Sequence, residues 1–460
     1  MASMFDPVEV IKDLVRHPSV STDPDYAEGM QGTREVLVRL FEEMGLEVEI
    51  VDTPRHPVVL ARRRGPGEWP HVIIYGHYDV QPPDPFDLWE SPPFEPTLKG
   101  TRLYGRGVAD NKGPMMLHVT SVGRILEENP DFPLRITFLI EGEEEIGSPS
   151  LPGVLEKHGE ELKGDFILLT DTLNPTDDQG AINTGLRGMV SFEFEVTGPD
   201  RDLHSGNFGG SVYNPLQALT EICASLHHPD GRINVPGFYD DVVQPADWEK
   251  EEIARLPVGD KDLLESTGAP ELFTARRRTG MEAIRYEPTL EINGIGGGYQ
   301  GVGDKTIIPA RAFAKITCRL VSNQDAADIR DKVFAAIRDR CPKQVRLKIT
   351  EFHHGIPYSV VPPGRSNTPK DQNPHLARAF KACEEAVGSV YGIPPLYLRS
   401  GGSIPIISIM SQVLGMDCLM LGTGTERNNL HSPNESFDLA YLEKGIAVSK
   451  AILENVAGKA

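Results

Sequence analysis

The stretch LRITFLIEGEEEIGS, residues 134–148, begins as one kind of sequence and ends as another. From Leu134 to Ile140 it is a short apolar run, rich in branched and aromatic residues, and it reads as a buried strand. It runs straight into Glu141, Glu143, Glu144 and Glu145, four carboxylates in five positions. Charges of one sign repel at this density, and the end of a buried strand is a costly place for them. In open α/β sheets, ligands and chemistry gather at the carboxyl ends of strands. The stretch therefore points to an α/β sheet with a site at one edge.

Its surroundings repeat the pattern. PVEVIKDLVRH (7–17) and TREVLVRLFEEMG (33–45) carry apolar residues at helical spacing, and Gly45 suits a helix stop. The runs LEVEIV (46–51), PVVLARR (57–63), HVIIYGHYDV (71–80) and FILLT (166–170) read as strands, and GPMMLHVTSVGRILEEN (113–129) as a helix. The expected unit is α/β, with a mixed, largely parallel central sheet flanked by helices. Past Gly185 the pattern changes. MVSFEFEVTG (189–198) alternates with period two, and RAFAKITCRLV (311–321) and VRLKITEFH (345–353) follow it. The stretches 214–228 and 326–341 read as helices. This predicts an inserted α+β domain over 187–358, and a first domain made of 1–186 and 359–460. The polar segment 240–285 finds no place in this scheme.

Composition sets outer limits. The 460 residues exceed one ordinary core, and 39% hydrophobic with 25% charged residues is globular usage. A net charge of −21 disfavours nucleic acid and anionic membranes as partners. No run is long and apolar enough for a membrane span, and the N-terminal stretch lacks the pattern of a signal peptide. Five scattered cysteines without C-x-x-C read as free thiols, so a cytoplasmic location is expected.

Imidazole and carboxylate groups presented at strand ends suit divalent metals. YGHYDV supplies His77 and Asp79, GRGVADNKGP supplies Asp110, the glutamate run supplies Glu145, LLTDT supplies Asp171, and NNLHSPNE supplies His431. Any one of these alone is an ordinary packed histidine, cap or turn residue. Together they suit a pair of divalent ions with one bridging carboxylate.

The ordered set GHYDV, GRGVADNKG, EGEEEIGS, TD and HSPNE resembles the M20 family of co-catalytic metallopeptidases and amidohydrolases. The resemblance implies a di-metal catalytic domain and an inserted lid domain that makes a homodimer. It implies two divalent ions per subunit, zinc first, with manganese or cobalt also accommodated. His77 would bind one ion, His431 the other, Asp110 both, and Glu145 and Asp171 one each. Glu144 would be the general base, Asp79 would orient His77, and a cis peptide would follow Asp110. Glu143 is expected to be a solvated neighbour, and Glu141 a loop or supporting residue. Ile146 departs from the family pattern, which has a small residue there.

Within the family, GDKTIIPARAFAKITCRLV (303–321) resembles the carnosinase-related dipeptidase branch. This implies Thr306 and Arg319 as substrate contacts; the family-like motif RDLHSGNFGG adds His204, FHHGIPY offers His353 or else its neighbour His354, and RSGGSIPI offers Gly402 and Ser403. Arg319 would pair with a substrate carboxylate, and His204 would serve the partner subunit's site. The expected activity is hydrolysis of dipeptides or short peptides with a free C-terminal carboxylate. The alternatives are an N-acyl amino-acid deacylase or desuccinylase with the same metals and, more remotely, an inactive scaffold relative.

Overall fold

The structure is a computed structural model that describes residues 5–365 and 373–458. A nine-stranded mixed sheet organises the larger part of the chain. At its centre His71–His77 runs parallel to Arg135–Glu141 on one side and to Phe166–Thr172 on the other. Cys418–Gly422 adds in parallel beyond Phe166–Thr172. Nearly every residue of these four strands is buried, as expected for parallel strands covered on both faces. Their common direction brings His77, Glu141 and Asp171 to one edge of the sheet.

Antiparallel strands finish both sides: Glu47–Val51 with Val58–Arg63 on one, and Ala181–Leu186 with Tyr358–Ser359 on the other. The helices Gly113–Glu128, Leu439–Val456 and Pro374–Tyr391 pack side by side over one face. The first two approach so closely that a Cβ on Gly445 would sit 2.6 Å from Leu117 Cδ1.

A second sheet of four antiparallel strands has Gly188–Thr197 and Arg311–Leu320 inside, and Thr289–Gly297 and Arg346–Gly355 at its edges. Val190, Phe192, Phe194 and Val196 are all 0% exposed and face the helices Pro215–Ser225 and Ala326–Arg340. The residues between them form an open polar face, so the period-two pattern is a real division of sides. This sheet has its own hydrophobic core, separate from that of the large sheet.

Two features were not legible beforehand. Thr289–Gly297 is a strand although only Leu290 is buried and three of its residues are glycine, which removes the alternation that marks a half-buried strand. The segment 240–285 forms the short helices Asp247–Ala254 and Asp260–Thr267 and most of a third, Gly280–Tyr286. The first of these lies on the strand Leu396–Arg399 of the large sheet. Among the described residues no helix is long and apolar enough to cross a membrane, and the five cysteines are free.

One buried ion pair ties the loop carrying Asp110 to the distant segment carrying His431. Glu435 and Arg106 are 0% and 1% exposed and 2.7 Å apart. Glu435 also accepts the backbone N–H groups of Gly107, Ala109 and Asp110 at 2.8, 2.8 and 3.1 Å. Gly107 takes φ +83, and a Cβ there would meet Val80 Cγ1 at 2.2 Å. Glu435→Ala should therefore destabilise the protein by about 3–5 kcal/mol, because it strands a buried guanidinium and three N–H groups. Denaturant titration checks this; Glu435→Gln should lose less, and an unchanged midpoint in Glu435→Ala would show that the pair is idle.

Candidate metal centre

The five residues read as metal ligands converge at the carboxyl edge of the large sheet. His77 ends its strand and is fully buried, with Nε2 3.1 Å from Asp110 Oδ1 and 3.9 Å from Asp171 Oδ2. His431 approaches from the far end of the chain, with Nε2 3.0 Å from Asp110 Oδ2 and 3.4 Å from Glu145 Oε2. Two triads result, His77–Asp110–Asp171 and Asp110–Glu145–His431, each with its ligand atoms within 4.8 Å of one another. Asp110 belongs to both, one oxygen turned to each histidine. The peptide after Asp110 is cis, and His431 sits at φ 60.

The donor set fits divalent cations: two imidazole nitrogens, three carboxylates and no other protein cation within the triads. Glu145 Oε1 is buried without a hydrogen-bond partner, an arrangement that asks for a bound ion. Protonation shows the same demand for positive charge. Burial opposes a charge on His77, yet hydrogen bonds to Asp110 and Asp79 push its pKa well above the usual histidine range. Hydrogen bonds to Asp110 and Glu145 take His431 up to about 10. Burial, reinforced by Asp110, raises Asp171 to about 7. A third grouping, Glu49, His158 and Glu161, lies where Arg62 pairs with both carboxylates, at 2.7 and 3.1 Å. A guanidinium there already supplies the charge.

Asp79 organises the loop as well as the histidine. Its Oδ1 lies 3.4 Å from His77 Nδ1, while the Asp79 backbone carbonyl lies closer, at 3.1 Å. Its carboxylate accepts Ser21 Oγ at 2.8 Å and the N–H groups of Glu144 and Glu145 at 3.2 and 3.1 Å. One buried residue thus fixes both the imidazole, chiefly through its carbonyl, and the turn that follows the strand, through its carboxylate.

The glutamates separate by their partners. Glu143, expected to face solvent, is 2% exposed. Its Oε1 accepts the N–H of His56 at 2.9 Å and the hydroxyl of Thr53 at 3.2 Å, and its Oε2 accepts the N–H of Ser150 at 2.9 Å. The tight turn leaves buried N–H groups that need acceptors, and Glu143 meets that need. Glu141 is buried at the strand end and accepts Tyr75 Oη at 2.9 Å and Ser148 Oγ at 2.8 Å. Burial, with Asp79 nearby, lifts its pKa to about 8. Glu144 is half-buried among the ligands. Burial first, then Glu145, Asp171 and Asp110, hold its pKa well above the carboxylate range, and His77 works against them.

Sequence reasoning missed the groups that hold the ligands. Gln81 donates to Glu145 Oε2 at 2.9 Å, and Asn111 donates to Asp171 Oδ1 at 2.9 Å. Glu435 and Arg106 lay inside the motifs HSPNE and GRG, but nothing local tells that they pair.

The candidate substrate residues fall into two groups. Arg319 Nη1 donates to Ser403 Oγ at 3.0 Å. His353 lies on the same open face of the second sheet, and its pKa is lowered by burial and then by Arg319. Gly402 is exposed next to Ser403. His204 and Thr306 form the other group, joined by the pairing of Leu203–His204 with Ile307–Ile308 and by a 3.0 Å bond from Ser205 N to Thr306 O. Both are exposed, and among the described residues neither shares a hydrogen bond or ion pair with the metal-centre side chains.

Comparisons with known proteins agree with this geometry. The model of peptidase family M20/M25/M40 matches residues 73–455. The Cys-Gly metallodipeptidase dug1 of Schizosaccharomyces pombe is 32% identical over 451 residues, covering 93% of this chain and 91% of that protein. Among solved structures, the M20 family metallo-carboxypeptidase Sso-CP2 from Sulfolobus solfataricus aligns with a TM-score of 0.87 at 30% identity, covering 98% of this chain and 99% of that one. Human carnosine dipeptidase 1 aligns with a TM-score of 0.83 at 28% identity, covering 98% and 96%. The chain therefore belongs to peptidase family M20/M25/M40, and within it to the dipeptidase branch.

Proposed function

We propose that this enzyme hydrolyses the amide bond of dipeptides or short peptides that carry a free C-terminal carboxylate. The observation that carries the reading is the pair of ligand triads sharing Asp110, with Glu144 beside them. Relatives named for Cys-Gly and β-Ala-His dipeptides support it, as does one named a metallo-carboxypeptidase.

His77, Asp110 and Asp171 would hold one divalent cation, and Asp110, Glu145 and His431 the other, with zinc the first candidate. Cations held there supply Lewis acidity, which polarises a carbonyl and acidifies water. Glu144 takes the proton of the attacking water and delivers it to the leaving nitrogen. Its burial among other carboxylates raises its proton affinity. Asp79 keeps the Glu144 N–H and the His77 ring in register. Arg319 and Ser403 bind the substrate carboxylate, the guanidinium by a charge-assisted fork. His204 and Thr306 act from the second subunit of a homodimer formed through the second sheet and its helices.

Each assignment has its own measurement. Glu144→Gln should keep its metal content while turnover falls by about 10²–10⁴-fold; turnover near the parent's would remove Glu144 from this role. The parent enzyme should prefer a free dipeptide to its C-terminal amide, and Arg319→Met should raise KM for the free dipeptide by about 10–100-fold while sparing the amide. Equal rates on the two substrates would sink carboxylate recognition, and faster turnover of an N-acyl amino acid would favour the deacylase reading. Mixing Glu144→Gln chains with His204→Ala chains should restore activity in mixed dimers, one of whose two sites draws an intact His204 from its partner. No recovery in proven mixed dimers would refute action across subunits.

A further inference from the structure

The segment that found no place in the sequence, 240–285, which runs on to Tyr286 at the end of its last helix, sends two buried carboxylates toward the loop that carries Ser403. Its helix Asp247–Ala254 lies along Leu396–Arg399, a strand that among the described residues pairs with Ala181–Leu186 on one side only. Glu249 and Glu252 stand three apart on that helix, so they share a face, and are 4% and 2% exposed. Glu252 Oε2 accepts the N–H of Tyr397, in that strand, at 3.3 Å. Glu249 divides its oxygens. Oε2 accepts the Ala246 N–H at 2.8 Å and caps its own helix, while Oε1 accepts Arg399 Nε at 2.7 Å.

Arg399 is where the pieces meet. Its Nη1 donates to Ser322 Oγ at 2.9 Å, just past the strand that carries Arg319, and its guanidinium lies 4.9 Å from the ring centroid of Tyr286. Arg399 is also the last residue of its strand, and Ser400, Gly401, Gly402 and Ser403 follow directly. Ser400 N donates to Gly185 O at 2.8 Å, and Arg187 N donates to Gly402 O at 2.8 Å. Ser400 is half-buried, and Gly401 and Gly402 are exposed. The loop therefore takes its position from its anchors. Arg187, 8% exposed, is fastened to the same segment: its Nη2 donates to Ala283 O at 2.9 Å and Glu287 O at 2.7 Å.

We infer that 240–286 is a strap, and that the Glu249–Arg399 ion pair is the positioning contact through which it holds Ser403 against Arg319. This rests on the reading of Arg319 and Ser403 as the carboxylate site. Among the described residues the strap makes no hydrogen bond or ion pair with the five candidate ligands or Glu144. Loosening it should therefore weaken binding of the carboxylate and leave the chemical step nearly intact.

The test compares Glu249→Gln and Ser322→Ala with the parent, using a dipeptide, its C-terminal amide and the melting temperature. Glu249→Gln keeps the size and the helix-capping oxygen but removes the charge facing Arg399. It should raise KM for the free dipeptide by about tenfold, with kcat within about twofold and the amide nearly unaffected. Ser322→Ala keeps the ion pair and removes one hydrogen bond, so it should move KM in the same direction by about threefold. It carries the test if Glu249→Gln fails to fold. An unchanged KM in the folded variants would overturn the strap, and so would a loss shared equally by the free dipeptide and the amide, the mark of general destabilisation. The two readings fail differently. A parent indifferent to the amide removes the carboxylate site and the strap together. A discriminating parent whose Glu249→Gln variant discriminates equally well removes the strap alone.

Discussion

Asp79, Asp110, Glu141, Glu144, Glu145 and Asp171 converge on one edge of one sheet, each half-buried or buried. Their mutual repulsion in a poorly solvated place is the constraint that the rest of the structure answers. Two of the carboxylates that are not candidate ligands, Asp79 and Glu141, have been given donors. Asp79 takes the N–H groups of Glu144 and Glu145 and a serine hydroxyl, and Glu141 takes a phenol and a second serine. The candidate ligands keep fewer donors, and Glu145 Oε1 keeps none. The candidate ligands are thus short of both donors and positive charge, which suits a divalent cation.

That constraint also explains what could be read in advance. Parallel strands buried on both faces announce themselves as short apolar runs, and a charged residue just past such a run is conspicuous because burial there is expensive. His77, Glu144, Glu145 and Asp171 were visible on that ground, and motif order added Asp110 and His431. The supports were hidden because their partners are remote in sequence. Arg106 and Glu435 lie 329 residues apart, and nothing near either one signals the pair. Glu143 misled for a related reason. In sequence it is one more charge in an acidic run, and only the folded turn shows three donors aimed at it.

The second sheet follows a different rule. Its inner strands were legible through alternation, because one face packs against helices and the other is open. Thr289–Gly297 was not, since an exposed edge strand rich in glycine has no buried face to pattern it. The segment 240–286 was the least legible of all. Its helices are short, and the stretch is polar and fits neither the α/β pattern nor that of the second sheet. Yet Glu249 and Glu252 are buried because two arginines and a free strand edge wait for them in another part of the chain.

Division of labour between the two sheets follows from these placements. The metal-centre residues sit on the large sheet and on loops pinned to it, and Glu435 locks two of those loops together. The residues proposed to read a carboxylate straddle the junction, Arg319 on the second sheet and Ser403 on the loop after the large sheet's strand Leu396–Arg399. A contact made across a junction is only as well defined as the junction itself. A bare hydroxyl–guanidinium bond between two separately cored parts would give a loose site. The buried acids of 240–286 remove that looseness, because an ion pair sealed from water resists displacement more strongly than an exposed one. On the proposed reading, bond cleavage and substrate reading can then be tuned separately: the centre by its carboxylates, and the proposed carboxylate site by the strap inferred to hold its two halves in register.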